Sequence, residues 1–241
     1  MKIVIITAMP EESGAILKSA VQRSKSLMSG RKRYCTQIAG HEIVLMEGGM
    51  GMLNAGWAAM TLATENPDLM ISAGFGGAVL PGLPVGGVVL AEQVLQWGPS
   101  GLEDVSVNFF GSHQVASTLG LTRGTFISCN EILDKRTLAA KLPGSAANPI
   151  LEMETAAVAR VAAAHGIPFL AIRSVSDTGD EELDFSIDEF CDDSMRIRPT
   201  RVFATILRRP RIIPQLIRLA RTSRVAAASL AMAMERLFKQ L

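Results

Sequence analysis

The chain has 241 residues, 48% of them hydrophobic and 20% charged, with a formal net charge of +1. That length suits one large α/β domain or two small ones with ample apolar core, and the near-zero charge gives no reason by itself to expect a polyanion partner. Three cysteines (Cys35, Cys129, Cys191), an odd number with no C-x-x-C pair, argue against a disulfide scaffold and for a reducing, cytoplasmic setting.

In chain order, "KIVIITAM" is a continuous, β-branched apolar run of the kind found in a strand buried on both faces. Its apolar stretch is short and followed by acids, which speaks against a signal peptide. Pro10 suits the first turn of a helix, with Glu11 and Glu12 beside it. "HEIVLMEGG", "PDLMISAGFGG" and "GGVVLAEQVL" read as further strands, and Asn54–Thr64, small and apolar, as a packed helix. Leu69–Ala91 is uncharged for 23 residues, long enough to span a membrane. Its six glycines and two prolines favour strand, glycine loop, strand instead. "GTFISCNEIL" predicts a strand with a polar exit, and "PILEM" a short strand with Leu151 and Met153 on one face and Glu152 and Glu154 on the other. Thr155–Ala164 should be a helix closed by His165-Gly166, and "IPFLAIRSVSD" the next strand. The alternation predicts an α/β fold: a central mixed, largely parallel twisted sheet flanked by helices, with right-handed crossovers.

The composition changes near residue 193. Residues 194–241 hold eleven Lys/Arg and one acid, whereas residues 1–193 hold 13 basic and 22 acidic residues. The expected division is an α/β domain over 1–193 and a basic, mainly helical C-terminal extension over 194–241. Within it Gln215–Leu237 reads as one helix, with Leu216, Leu219, Ala220 and Ser223 on one stripe and Arg218, Arg221 and Arg224 elsewhere. Such a helix suits an anionic membrane surface or a packing site on its own or a partner subunit. Nucleic acid is disfavoured, because Phe203 and Phe238 are not interleaved for base stacking.

Ligands of open α/β sheets bind beyond the carboxyl ends of the strands. Glu11 and Glu12 follow the first strand, Glu152 and Glu154 end another, and Asp177 ends a third. "GGMGM" (Gly48–Met52) and "AGFGG" (Ala73–Gly77) read as glycine turns after two more. Each feature has an ordinary alternative: first-turn acids, a cap at Asp177, an ion-pair partner in Arg173, core packing for Met50, Met52, Met153 and Cys129. Their shared rim is what points to a site. His41, His113 and His165 are scattered with no H-E-x-x-H, so neither a metal site nor a cofactor is expected.

The ordered segments "KIVIITAMPEES", "EGGMGMLNAG", "ISAGFGGAV", "EMETAAVA" and "IRSVSDTGDEE" resemble the nucleoside phosphorylase/nucleosidase superfamily, and within it the methylthioadenosine/S-adenosylhomocysteine nucleosidase branch, over about residues 1–190. The resemblance implies that Glu12 activates the attacking water. It implies that Met153 and Glu154, beside Glu152, contact the ribose, and that Asp177, placed by Ser176, protonates purine N7. Phe75 stands where that branch has serine, next to Gly76, and Ile132 where it has the phenylalanine that stacks on adenine. Both positions belong to the implied substrate pocket, so the resemblance leaves the base and 5′ group open; a large apolar 5′ group, as in adenosylhopane, or a futalosine-like one would fit these changes.

The chemistry agrees with the residue types. Cleaving an N-glycosidic bond passes through an oxocarbenium-like state, and the purine leaves well only when protonated, which a buried acid with a raised pKa can do. The implied activity is hydrolysis of a 5′-modified, adenine-type purine nucleoside by a homodimer or higher homo-oligomer. Phosphorolysis is the rival, but "AMPEES" and "LMISAGFGG" carry no arginine for phosphate. A membrane-binding or nucleoside-sensing protein with a degenerate site is the non-enzyme alternative.

Overall fold

The computed structural model describes residues 1–130, 133–180, 190, 205 and 208–241. The division set at residue 193, Ile132, Cys191 and Phe203 therefore lie outside the described residues. Among the described residues ten strands form one mixed sheet. In chain order they are β1 (Lys2–Thr7), β2 (Arg23–Met28), β3 (Arg31–Ile38), β4 (His41–Glu47), β5 (Leu69–Ala78), β6 (Val88–Gly98), β7 (Gly101–Asp104), β8 (Thr122–Ser128), β9 (Ile150–Glu152) and β10 (Phe169–Asp177). Among the described residues the α-helices are α1 (Pro10–Ile16), α2 (Met52–Ala63), α3 (Ser112–Leu119), α4 (Lys135–Ala139), α5 (Thr155–Ala164) and α6 (Ile213–Gln240).

The strands read from continuous apolar runs are those buried on both faces. Along β1 and β4, Val4, Ile6, Val44 and Met46 pack under α2 and α5. The alternate residues Ile3, Ile5, Ile43 and Leu45 pack on the opposite face with residues of α1, α3 and α6. The uncharged stretch Leu69–Ala91 is β5, a glycine-proline connection and the start of β6. Among the described residues no helix is long and apolar enough to cross a membrane.

The sheet is not open throughout. β10 pairs with both β5 and β6, β6 with β8, β8 with β9, and β9 with β5, so five strands close on one another. Closure is possible because β5 changes neighbours along its length. β1 lies beside Leu69–Ser72, and β9 takes the same side at Gly77–Ala78. "AGFGG" is thus the second half of a strand and not a turn, which corrects the sequence reading.

The basic C-terminal helix is part of the core. Ala226, Leu230, Ala233, Met234, Leu237 and Phe238 of α6 are buried in the same cluster as Ile3, Ile71 and Ile172. The contact is mainly apolar, with Arg236 donating to the Leu119 carbonyl at 2.8 Å. The stripe expected further upstream is not the packed face: Ala220 is exposed, and Leu216, Leu219 and Ser223 are half-buried. Its first half leaves Ile213, Ile217 and Val225 exposed among the arginines.

Leu230→Ala should therefore cost about 2–5 kcal/mol of unfolding free energy, the usual range for truncating a buried leucine. Arg221→Ala, on the exposed face, should stay within about 0.5 kcal/mol. Urea melts of both variants check this; equal effects would mean the helix is not a core element.

Candidate active site

The N-terminal acids separate by burial. Glu11 is exposed, whereas Glu12 is 3% exposed and folds back over the start of α1. Its Oε2 accepts from the amides of Ala8 (2.8 Å) and Met9 (2.9 Å), and its Oε1 from the amide of Phe75 (2.8 Å) on β5. A side chain at position 74 would collide with this carboxyl: a Cβ on Gly74 would lie 2.5 Å from Glu12 Oε1. Burial pushes the Glu12 pKa up, against the opposing charge of Arg173 and the three amides.

The two glutamates of "LEME" have different tasks. Glu152 is spent on structure. Its Oε2 accepts from Arg173 (2.6 Å), the Thr155 amide (2.9 Å) and hydroxyl (2.8 Å), and the Glu154 amide (3.0 Å), while Ser128 Oγ donates to its Oε1. With a side chain 1% exposed it caps α5 and supports the site from below, so the expected substrate contact at Glu152 is corrected to a bracing role. Glu154 turns the other way. It accepts from the Gly51 amide at 2.9 Å, inside the glycine loop that precedes α2, and lies 3.8 Å from Arg173. Burial first, and then the charge of Glu152, lift its pKa to about 7 against the pull of Arg173 and the Gly51 amide.

Asp177 is re-aimed by an irregularity in β10. The register against β5 shifts between Val175 and Asp177, so Ser176 is the bulged residue, a device that turns a following side chain out of the ladder. Ser176 Oγ donates to Asp177 Oδ1 at 2.6 Å and lies 3.3 Å from the Gly76 carbonyl. A Cβ on Gly77 would stand 2.5 Å from Asp177 Oδ2, so this glycine too makes room for a carboxylate. Gly76 has a packing reason instead, since its Cβ would meet Ile150 Cγ2 at 2.5 Å. Asp177 also has a cationic partner: Lys135 Nζ lies 2.5 Å from its Oδ2.

The structure brings Glu12, Glu154 and Asp177 to one end of the sheet, around the second half of β5. Gly74 beside Glu12 and Gly77 beside Asp177 are three residues, roughly 10 Å, apart along the strand. A cleft of about 910 Å³ opens at the glycine loop, lined among others by Arg31, Met50, Met52, Asn130, Met153 and Arg160. Phe75 contributes its amide alone: its side chain is buried with Ile5, Ile71 and Leu90, so the expected substrate contact of its ring is corrected to core packing. Ile132 falls outside the described residues. Sequence reasoning missed Lys135. Asp134 signals the helix start by capping the amides of Arg136 and Thr137, but nothing in the local pattern says the lysine is buried.

A family model described as the phosphorylase superfamily matches residues 2–208. The chain belongs to the phosphorylase superfamily. It is 30% identical to a 5′-methylthioadenosine/S-adenosylhomocysteine nucleosidase of Listeria monocytogenes serotype 4b, across 79% of this chain and 92% of the relative. Its fold matches the nucleosidase of the same name from Neisseria meningitidis, crystallised with methylthio-immucillin-A, at a TM-score of 0.76 and 20% identity over 100% of this chain and 99% of the other. Futalosine hydrolase of Helicobacter pylori matches at 0.75 and 17% identity over 100% and 98%. Those alignments take in α6, so the C-terminal helix is a shared part of the fold.

Two outcomes test the site's physics. Between about pH 4.5 and 7 the folded protein keeps a proton on Glu154 that the unfolded chain has released, so this group's contribution makes stability fall as pH rises. Glu154→Gln should thus melt above wild type at pH 8, by at most about 3 kcal/mol, and lose that advantage near pH 4.5. Gly74→Ala should displace the Glu12 carboxyl; its expected signature is a folded protein with loss of any turnover that depends on Glu12, checked by circular dichroism beside an activity assay.

Proposed function

We propose that this protein is an N-ribohydrolase that uses water to cleave the N-glycosidic bond of a 5′-modified, adenine-type purine nucleoside. The observation that carries the reading is the gathering of Glu12, Glu154 and Asp177 around the glycine-lined half of β5, each in a different environment. Relatives named as nucleosidases and as a futalosine hydrolase support the same reaction class.

The division of labour follows from those environments. Glu12 has both oxygens fixed by amides and its basicity raised by burial, which suits a base that takes a proton from the attacking water. Glu154, anchored to the Gly51 amide beside Met153, suits the ribose hydroxyls; ionised, as it is above about pH 7, it also favours the cationic sugar of the transition state. Asp177, turned out of β10 by the bulge, suits the purine. The cleft at the glycine loop, lined by Met50, Met52 and Met153, opens beside Gly51, whose amide holds Glu154, and gives a 5′ substituent a direction in which to extend. Phe75 no longer argues that this group is apolar, because its ring is in the core. Arg31, the arginine at the glycine loop, braces that loop through the Gly48 carbonyl (2.7 Å) and Asn54 (2.6 Å) and stacks over Trp57. This is a role that favours water over phosphate as the nucleophile.

The test is base release from a panel of 5′-substituted purine nucleosides, with and without phosphate. Wild type should act equally well in both. Asp177→Asn should lose on the order of 100-fold or more in kcat. Glu12→Gln should stop hydrolysis while still binding nucleoside, and Glu154→Gln should weaken binding and rate together. A strict phosphate requirement, or an Asp177→Asn rate above half of wild type, would overturn the reading.

A further inference from the structure

Lys135 is 8% exposed, and lysine is rarely buried without a partner that explains it. Its ammonium lies 2.5 Å from Asp177 Oδ2 and donates to the Thr178 carbonyl at 2.7 Å. Ser176 Oγ donates to the other oxygen, Oδ1. Asp177 therefore accepts on both oxygens as one half of an ion pair. Both of its oxygens are thus engaged by donors, and a departing purine needs a proton at N7. The cation that completes the pair is the nearest proton store, on a side chain that, unlike arginine, can release a proton.

We propose that Lys135 supplies, through Asp177, the proton that the leaving base takes up. This rests on the hydrolase reading above, with Asp177 facing the purine. The electron pair of the breaking bond between C1′ and N9 passes to the base. N7 takes one proton from the Lys135–Asp177 pair, and Lys135 is left as a neutral amine beside the carboxylate. The proton removed from water rests on Glu12, and the water oxygen bonds to C1′. After the products leave, Glu12 gives its proton to solvent and Lys135 regains one from it.

A purely structural lysine would tie α4 to the end of β10 and nothing more. The two roles separate by leaving group. Lys135→Met and Lys135→Arg are compared with wild type on the best purine nucleoside of the panel. They are then compared on two probes whose leaving groups need no proton, the N7-methylated form of that nucleoside and 4-nitrophenyl riboside. Thermal melts report folding, and Lys135→Gln replaces the methionine variant if that one fails to fold.

The expected result is a fall in kcat on the order of 100-fold or more for Lys135→Met on the unmodified nucleoside, with KM little changed. On whichever probe wild type cleaves, the variant should stay within about threefold of wild type, a margin well below the general-acid effect. Lys135→Arg keeps the charge but not an available proton, so it should remain at least about tenfold impaired on the unmodified nucleoside alone. Equal losses on all substrates, full activity of Lys135→Met, or full rescue by arginine would overturn the proposal while leaving the hydrolase reading intact. Failure of wild type to release base from any nucleoside would overturn both.

Discussion

The buried pair between Arg173 and Glu152 is the constraint on which the site is built. The two side chains are 2% and 1% exposed and 2.6 Å apart. Arg173 also donates to Ser72 of β5 and Thr155 of α5, both at 3.0 Å, and Ser128 of β8 donates to Glu152. One ion pair thus joins four strands and the start of a helix. Burying two charges is costly in itself, so such a pair is weak evidence of net stability. Removing one partner, however, leaves an uncompensated charge worth about 3–5 kcal/mol of destabilisation. Its consequence is electrostatic. Glu152 takes the direct contact, so Glu12 and Glu154 feel Arg173 as a field that only partly offsets their burial. Burial keeps both more basic than an ordinary carboxylate, and Arg173 opposes that rise in each.

β5 supplies the complementary constraint, one of space. At Gly74 and Gly77 the missing side chains are replaced by the carboxyls of Glu12 and Asp177, and at Gly76 by a methyl of Ile150. The same glycines let β9 and β10 approach β5 from either side, which closes the five-strand ring. Ring closure and carboxylate placement are therefore one packing solution. A substitution at Gly74 or Gly77 acts on chemistry through a strand that contributes no reactive side chain of its own there.

Much of this was legible in the sequence, for identifiable reasons. β1, β4, β5 and β10 are buried on both faces, so they read as continuous apolar runs, and α5 ends where His165-Gly166 stops it. The hairpin of β2 and β3 did not read, because β2 is exposed along its whole length and "RSKSLM" carries no burial pattern. Alternation put Glu152 and Glu154 on one face, but only the contacts reveal that one is spent on Arg173 and the other on the glycine loop. "AGFGG" looked like a turn because glycine usually marks one, whereas here its absent side chains accommodate groups from elsewhere in the fold. The C-terminal helix was legible as a helix with a packing face, but not where that face lies: its arginines dominate the composition, while the residues that fix it are the small and apolar ones near its end.

The base and acid of the proposed reaction, Glu12 and Asp177, are supplied by elements of different kinds. Glu12 follows a buried strand directly and is gripped by backbone amides, which cannot titrate. Asp177 follows a bulge and is gripped by side chains, a hydroxyl and an ammonium. A carboxylate held only by amides can gain a proton from water but has no side chain beside it from which to draw one. A carboxylate paired with lysine can draw a proton and pass it on. In the proposed reaction, the roles of the two acids follow from their partners more than from their own chemistry.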